Sequence, residues 1–170
     1  NDSSLIIMVE AAEIPEAGDD RSACVDGDTL QMVGFPSQIN GQIGTWSGDH
    51  VSSAGLFTID TAGTFVLYYT IGQNTCEIYD SVRVTVHELP IVFAGDDQFT
   101  CADGDSIVLS LALNVNPLPG IWTGNGITNN ATGVFTPNAN LTGSNTITYT
   151  YTDVNNCVNT DFLDVTVGAL

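Results

Sequence analysis

Lysine is absent from this 170-residue chain, and arginine occurs only twice, as Arg21 and Arg83. Against them stand 20 acidic residues, for a formal net charge of −18. Phosphate backbones are bound through clustered Lys and Arg, so nucleic acid is excluded as a partner. The same lack of cations excludes docking on an anionic membrane surface. No apolar run approaches the roughly 20 residues that span a bilayer, and the longest near the start, Leu5 to Val9, has the length of a strand. Histidine is scarce too, with only His50 and His87. There is no Gly-rich phosphate loop, no lysine to act as base, and no recurring Ser/His/Asp set, so the chain reads as a non-enzyme. Paired aspartates would suit a glycosidase, but so small a module leaves little room for the cleft. What the chain does have is an ordinary hydrophobic fraction of 43%, which marks a folded protein with an acidic surface rather than a disordered one.

The sequence repeats itself. Ala17-Gly18-Asp19-Asp20 returns as Ala94-Gly95-Asp96-Asp97, and at the same offset Cys24 meets Cys101 and Asp26-Gly27-Asp28 meets Asp103-Gly104-Asp105. Further on, Gly44-Thr45-Trp46-Ser47-Gly48 answers Gly120-Ile121-Trp122-Thr123-Gly124, Cys76 answers Cys157, and Val84-Thr85-Val86 answers Val165-Thr166-Val167. The expected organisation is a linker, or the last strand of a preceding module, over 1–16, then module one over 17–90 and module two over 91–170. Ile7-Met8-Val9 stands before the first Ala-Gly-Asp-Asp as Val84-Thr85-Val86 stands before the second, so residues 1–9 read either as that upstream strand or as the first strand of module one.

Each module reads as all-β. Thr146 to Thr152 alternates Thr with Ile and Tyr, and Val82, Val84 and Val86 match Leu163, Val165 and Val167 at period two. Clusters of Gly, Asn, Asp and Pro separate these runs. About seven short strands per module, one of them expected over Thr29 to Phe35, fit a small immunoglobulin-like β-sandwich.

The four cysteines fall two per module. Equal copies predict the bonds Cys24–Cys76 and Cys101–Cys157, tying the first edge of each sandwich to its last strand. Zinc is the rival, but neither CxxC nor a histidine at ligand spacing is present. Disulfides imply an oxidising, extracytoplasmic setting. The spacing departs from antibody domains, because Trp46 follows Cys24 by 22 residues.

Asp19, Asp20, Asp26 and Asp28 crowd the start of module one, and Asp96, Asp97, Asp103 and Asp105 the start of module two. Glu88 precedes the second cluster, and Glu10, Glu13 and Glu16 precede the first. Ca²⁺ takes six to eight oxygens of this kind, so a calcium site at the joint between modules is one reading. The other is that these aspartates form turns on a solvated surface. No EF-hand loop is present. Trp46 and Trp122 read as core, with a sugar-stacking platform as the alternative. The threonines of 146–152 read as the wet face of a strand, or else as a face for carbohydrate or ice. Asp28-Thr29-Leu30, Asp60-Thr61-Ala62, Asp80-Ser81-Val82 and Asp105-Ser106-Ile107 share the order acid, hydroxyl, apolar. That order is similar to an O-glycosylation signal of some gliding bacteria, and equally to a strand start after an acidic turn.

The pattern Ala94-Gly95-Asp96-Asp97, Cys101, Trp122, Phe135-Thr136-Pro137, Tyr151-Thr152, Cys157, Val165-Thr166-Val167 resembles the repeats of very large surface adhesins of gliding bacteria, the SprB type. Module one departs from it, with Ile59 in place of the proline and a shorter segment from Phe57 to Cys76. The resemblance implies a secreted cell-surface filament, exported by the type IX system, that serves gliding motility and attachment. Its partners would be neighbouring modules and an external surface or polysaccharide. Carbohydrate-binding accessory modules of a secreted enzyme or polysaccharide-capture protein are the alternative.

Overall fold

The period-two alternation becomes two long hairpins, one in each half of the chain. The computed structural model describes residues 14–72, 77–109 and 120–169. It divides into two compact units, Asn1–His87 and Glu88–Leu170. Pro90 belongs with the second, since its carbonyl accepts a hydrogen bond from Asn159 Nδ2 (2.9 Å). The strand expected over residues 1–9 lies outside the described residues.

In unit 1, β1 (Arg21–Cys24), β2 (Thr29–Gln31), the hairpin β3 (Gln38–Ile39) and β4 (Gln42–Ile43), β5 (Thr45–Ser47), β6 (Leu56–Thr58), β7 (Gly63–Ile71) and β8 (Ile78–His87) follow in order. One sheet has the order β1-β8-β7-β5, while β2 pairs with β6 and β3 with β4. In unit 2 the order is β9 (Gln98–Cys101), β10 (Ile107–Val108), β11 (Ile121–Thr123), β12 (Ile127–Asn129), β13 (Val134–Phe135), a 3-10 turn at Ala139–Leu141, β14 (Gly143–Thr152) and β15 (Val158–Gly168). Its sheets run β11-β14-β15-β9 and β10-β13-β12. A four-stranded sheet closed by a first strand parallel to the last, opposite the second and later strands, is the immunoglobulin-like arrangement. The chain is all-β, as its sequence predicts.

Alternation decides the cores. Leu67, Tyr69 and Ile71 of β7 and Val82, Val84 and Val86 of β8 point inward, as do Ile147 and Tyr149 of β14 and Leu163, Val165 and Val167 of β15. Each buried side chain of this size contributes about 1.5–3 kcal/mol. Trp46 packs on Tyr69 with ring centroids 5.1 Å apart, and Trp122 on Tyr149 at 4.8 Å. Small residues make room for these pairs. A Cβ on Gly44 or Gly34 would fall on the ring of Tyr69, and one on Gly120 on the ring of Tyr149.

The strand expected over Thr29 to Phe35 is shorter. It ends at Gln31, and Phe35 makes only an isolated bridge with Glu16. Here the chain passes over the ring of Tyr69, whose hydroxyl donates to the Pro36 carbonyl at 2.9 Å. Pro36 has no N–H to give a ladder, so pairing does not run on past the Phe35 bridge.

Candidate functional site

The repeated acidic segments hold one edge of each sandwich. In unit 1 the Ala17 amide donates to Asp80 Oδ2 on β8 (2.8 Å), and the Arg83 amide of β8 donates back to Asp20 Oδ1 (2.8 Å). Unit 2 repeats both bonds. Ala94 N donates to Asp161 Oδ2 (2.8 Å) and Asp164 N to Asp97 Oδ1 (2.9 Å). The parallel ladder begins one residue later, with Arg21 opposite Val84 and Gln98 opposite Val165. Asp20 and Asp97 thus take the N–H of the last strand just before β1 and β9 can. Gly18 and Gly95 make the turn that allows this, at φ +85 and +102, where only glycine is unstrained. Ala17 and Ala94 are buried, so their amides require an acceptor. Asp80 and Asp161 went unnoticed as anchors in the sequence, although they sit at matching places in the two copies.

The other acidic residues do not converge. Asp19, Asp28, Glu88, Asp96, Asp103 and Asp105 are exposed. Asp26 accepts the amide of Asp28 in a local turn (2.9 Å). Asp19 and Asp20 precede β1 while Asp26 and Asp28 follow it, so four strand residues, about 13 Å, separate what the sequence crowds together. β9 separates Asp96 and Asp97 from Asp103 and Asp105 in the same way. Among the described residues no three His, Cys, Asp or Glu side chains are grouped to hold a metal. Among the described residues no such group supplies the six to eight oxygens that Ca²⁺ takes. Glu16 is exposed, and Glu10 and Glu13 lie outside the described residues.

Among the cysteines, Cys24 and Cys157 are disulfide-bonded, whereas Cys101 is exposed and free. Cys76 lies outside the described residues. The expected bond Cys101–Cys157 is therefore not formed. The reason is strand length. Cys101 stands opposite Gly168 at the end of β15, and Cys157 immediately precedes Val158 at its start. Eleven residues of strand hold the two about 30 Å apart, and a disulfide spans at most ~7 Å between Cα atoms.

Trp46 and Trp122 are only 5% and 2% exposed, so neither offers a sugar a platform. Burial raises the ionisation of Tyr69, and of Tyr149, above the ordinary tyrosine range. For Tyr149 the nearby Tyr151 adds to the rise and a hydrogen bond with the Gly120 backbone opposes it. The threonines of β14 lie on its outer face, half-buried or exposed. His50 Nδ1 is 2.9 Å from Asp60 Oδ1, and its ring meets Phe65 edge-on at 4.9 Å. This pair packs against the aromatic cluster of Phe57 and Phe65 and has no counterpart in unit 2, which lacks histidine. The outer faces carry some exposed aromatics. Tyr68 and Tyr79 stack edge to face at 5.8 Å, while Phe99 and Phe162 lie on unit 2. No described helix is long and apolar enough to cross a membrane.

No protein-family model matches the chain, and no curated protein matches it. Solved structures similar to it include extracellular domains 3–5 of Drosophila OTK, at 10% identity and a TM-score of 0.41 over 91% of this chain and 60% of that one. The insect immune protein hemolin is similar at 12% identity and a TM-score of 0.44, over 91% of this chain and 46% of that one. An endo-fucoidan hydrolase of glycoside hydrolase family 107 is similar at 17% identity and a TM-score of 0.32, over 92% and 29%. The chain thus spans under two thirds of each of these three. Identities and scores at this level bear on neither activity nor partner.

Proposed function

We propose that the chain is a structural repeat segment of an extracellular, adhesin-type protein. The observation that carries this reading is the edge device made twice, Ala17–Asp80 with Asp20–Arg83 and Ala94–Asp161 with Asp97–Asp164. A feature kept in both copies serves what the copies share. Here that is the joining of first strand to last, through which a chain pulled at its ends is loaded. Because β1 runs parallel to β8, and β9 to β15, pulling the ends of a unit apart drags the two strands in opposite senses and loads the whole ladder in shear. The disulfide-bonded Cys24 and Cys157 suit an oxidising compartment. A surface of net charge −18 keeps such a segment solvated and apart from its neighbours.

The finer reading, a module of a gliding-motility surface adhesin exported by the type IX system, rests on the sequence resemblance. It is tested by labelling living cells with an antibody to the segment. A signal that travels along the cell surface supports it, and an internal or absent signal sinks it. Calcium at a joint between modules has no grouped ligands among the described residues to support it. The carbohydrate-binding alternative keeps only Tyr68 and Tyr79 as a stacking pair, which unit 2 replaces with Thr148 and Thr160. A glycan array separates the two. A structural segment gives no saturable signal, and a sugar bound tightly enough to saturate would overturn that reading in favour of the alternative.

A further inference from the structure

We infer that unit 1 carries a docking groove for a lysine- or arginine-bearing segment of a partner protein, and that unit 2 does not repeat it. The groove runs between the segment before β1 and the start of β8. It holds about 500 Å³, the size of a ligand cleft, and is lined by Pro15, Ile78 and Tyr79 together with Glu16, Glu77 and Asp80. Pro15 is buried and forms the floor, while Ile78 and Tyr79 are exposed. The Tyr79 ring is held edge to face by Tyr68 at 5.8 Å. Glu16 and Glu77 are exposed and Asp80 is half-buried. Among the described residues the one ion pair is His50 with Asp60, so none of these three carboxylates has a cation there.

The two copies provide an internal control. Ala17 with Asp80 and Ala94 with Asp161 make the same bond at matching places. Counted from these, Phe93 stands where unit 1 has Glu16, Val158 where it has Glu77, Asn159 where it has Ile78 and Thr160 where it has Tyr79. Two of the three carboxylates and both exposed apolar side chains are therefore gone. Asn159 donates instead to the Pro90 carbonyl at 2.9 Å, which ties β15 to the chain that enters unit 2. Unit 2 builds the same four-stranded sheet without the groove residues, so the fold does not require them. Docking at this groove is separate from the joining of first strand to last, which both copies keep.

Charge complementarity selects the occupant. Three carboxylates around an apolar floor fit a side chain with an apolar stem and a cationic tip, and lysine and arginine are built that way. The stem covers Pro15 and Ile78. The tip meets Glu16 and Glu77 through charge-assisted hydrogen bonds, and the Tyr79 ring offers its face to the same cation. The basic group comes from a different protein, because this chain has no lysine and a second copy brings a net charge of −18 against −18.

NMR titration of the whole chain tests this, with the acetylated and amidated peptide Gly-Ser-Lys-Ser-Gly, its arginine counterpart, and a control with norleucine at the basic position. Both basic peptides are expected to shift the amides of Glu16, Glu77, Ile78 and Tyr79 to saturation and to leave those of Phe93 and Val158 in place. Raising the salt from about 0.01 M to about 0.1 M shortens the screening length from roughly 30 to 10 Å, and is expected to weaken binding about threefold or more. Glu16→Gln combined with Glu77→Gln removes two exposed ion pairs, each at about threefold, and is expected to weaken it about tenfold. Equal shifts with the norleucine peptide, no shifts with either basic peptide, or unchanged binding in the double variant would overturn the inference. So would butylamine binding as tightly as the peptides, which would make this a small-amine site, or shifts at these amides on raising the chain's own concentration, which would make the occupant a second copy. If the double variant does not fold, the salt and norleucine arms still decide, because both use the native chain.

Discussion

Asp20 and Asp97 illustrate how a carboxylate that looks like a metal ligand is spent on backbone. Each accepts one amide of the last strand, and Asp80 and Asp161 return the bond. The two sets differ in weight, because Asp20 and Asp97 are exposed while the Ala94 amide is buried. Asp161→Ala orphans that amide and is expected to cost about 2 kcal/mol, while Asp161→Asn, which keeps an acceptor oxygen, recovers most of it. Urea unfolding of the two variants checks this, and equal losses would show that the hydrogen bond contributes nothing. Tyr69 and Tyr149 set a pH dependence. Burial raises both ionisations above the ordinary value of 10.0, so the folded chain holds these protons longer than the unfolded chain. Their contribution is full below pH 10 and is lost as pH rises through the folded values. The urea midpoint is expected to fall between pH 9.5 and 11.5, roughly the span in which tyrosine titrates, and to fall less in Tyr69→Phe.

At the scale of the element, strands were the legible part. Alternation at Val82, Val84 and Val86 and at Ile147 and Tyr149 names the buried faces directly, because side chains on a strand have only two directions. Trp46 and Trp122 in their small-residue setting read as core for the same reason. Gly44 and Gly120 explain that setting, since a Cβ on either would collide with the ring of Tyr69 or Tyr149. Gly120→Ala is expected to cost about 1–3 kcal/mol by overpacking, seen as a lower melting temperature for unit 2 with unit 1 unchanged. The separation of the acid pairs and the free state of Cys101 were not legible, for one shared reason. Sequence proximity ignores how far a strand carries the chain. β1 parts Asp19 and Asp20 from Asp26 and Asp28, and β15 parts Cys101 from Cys157. Equal copies suggest equal internal bonds, but in unit 2 the parallel pairing of the first strand with the last sets Cys101 and Cys157 at opposite ends of the sheet.

For the whole molecule, the charge of −18 is the surface of a repeating scaffold whose best-placed carboxylates are already engaged. Melting with and without EDTA is expected to give the same transitions, and a drop on chelation would reopen the calcium reading. On the proposed reading, the shared edge device makes each unit a load-bearing element. Single-molecule pulling of the chain by its two ends, in the presence of dithiothreitol, tests this account most directly. After reduction, two unfolding events of similar force should appear, one per unit. A reduced chain that extends without a resolvable force peak would contradict the account.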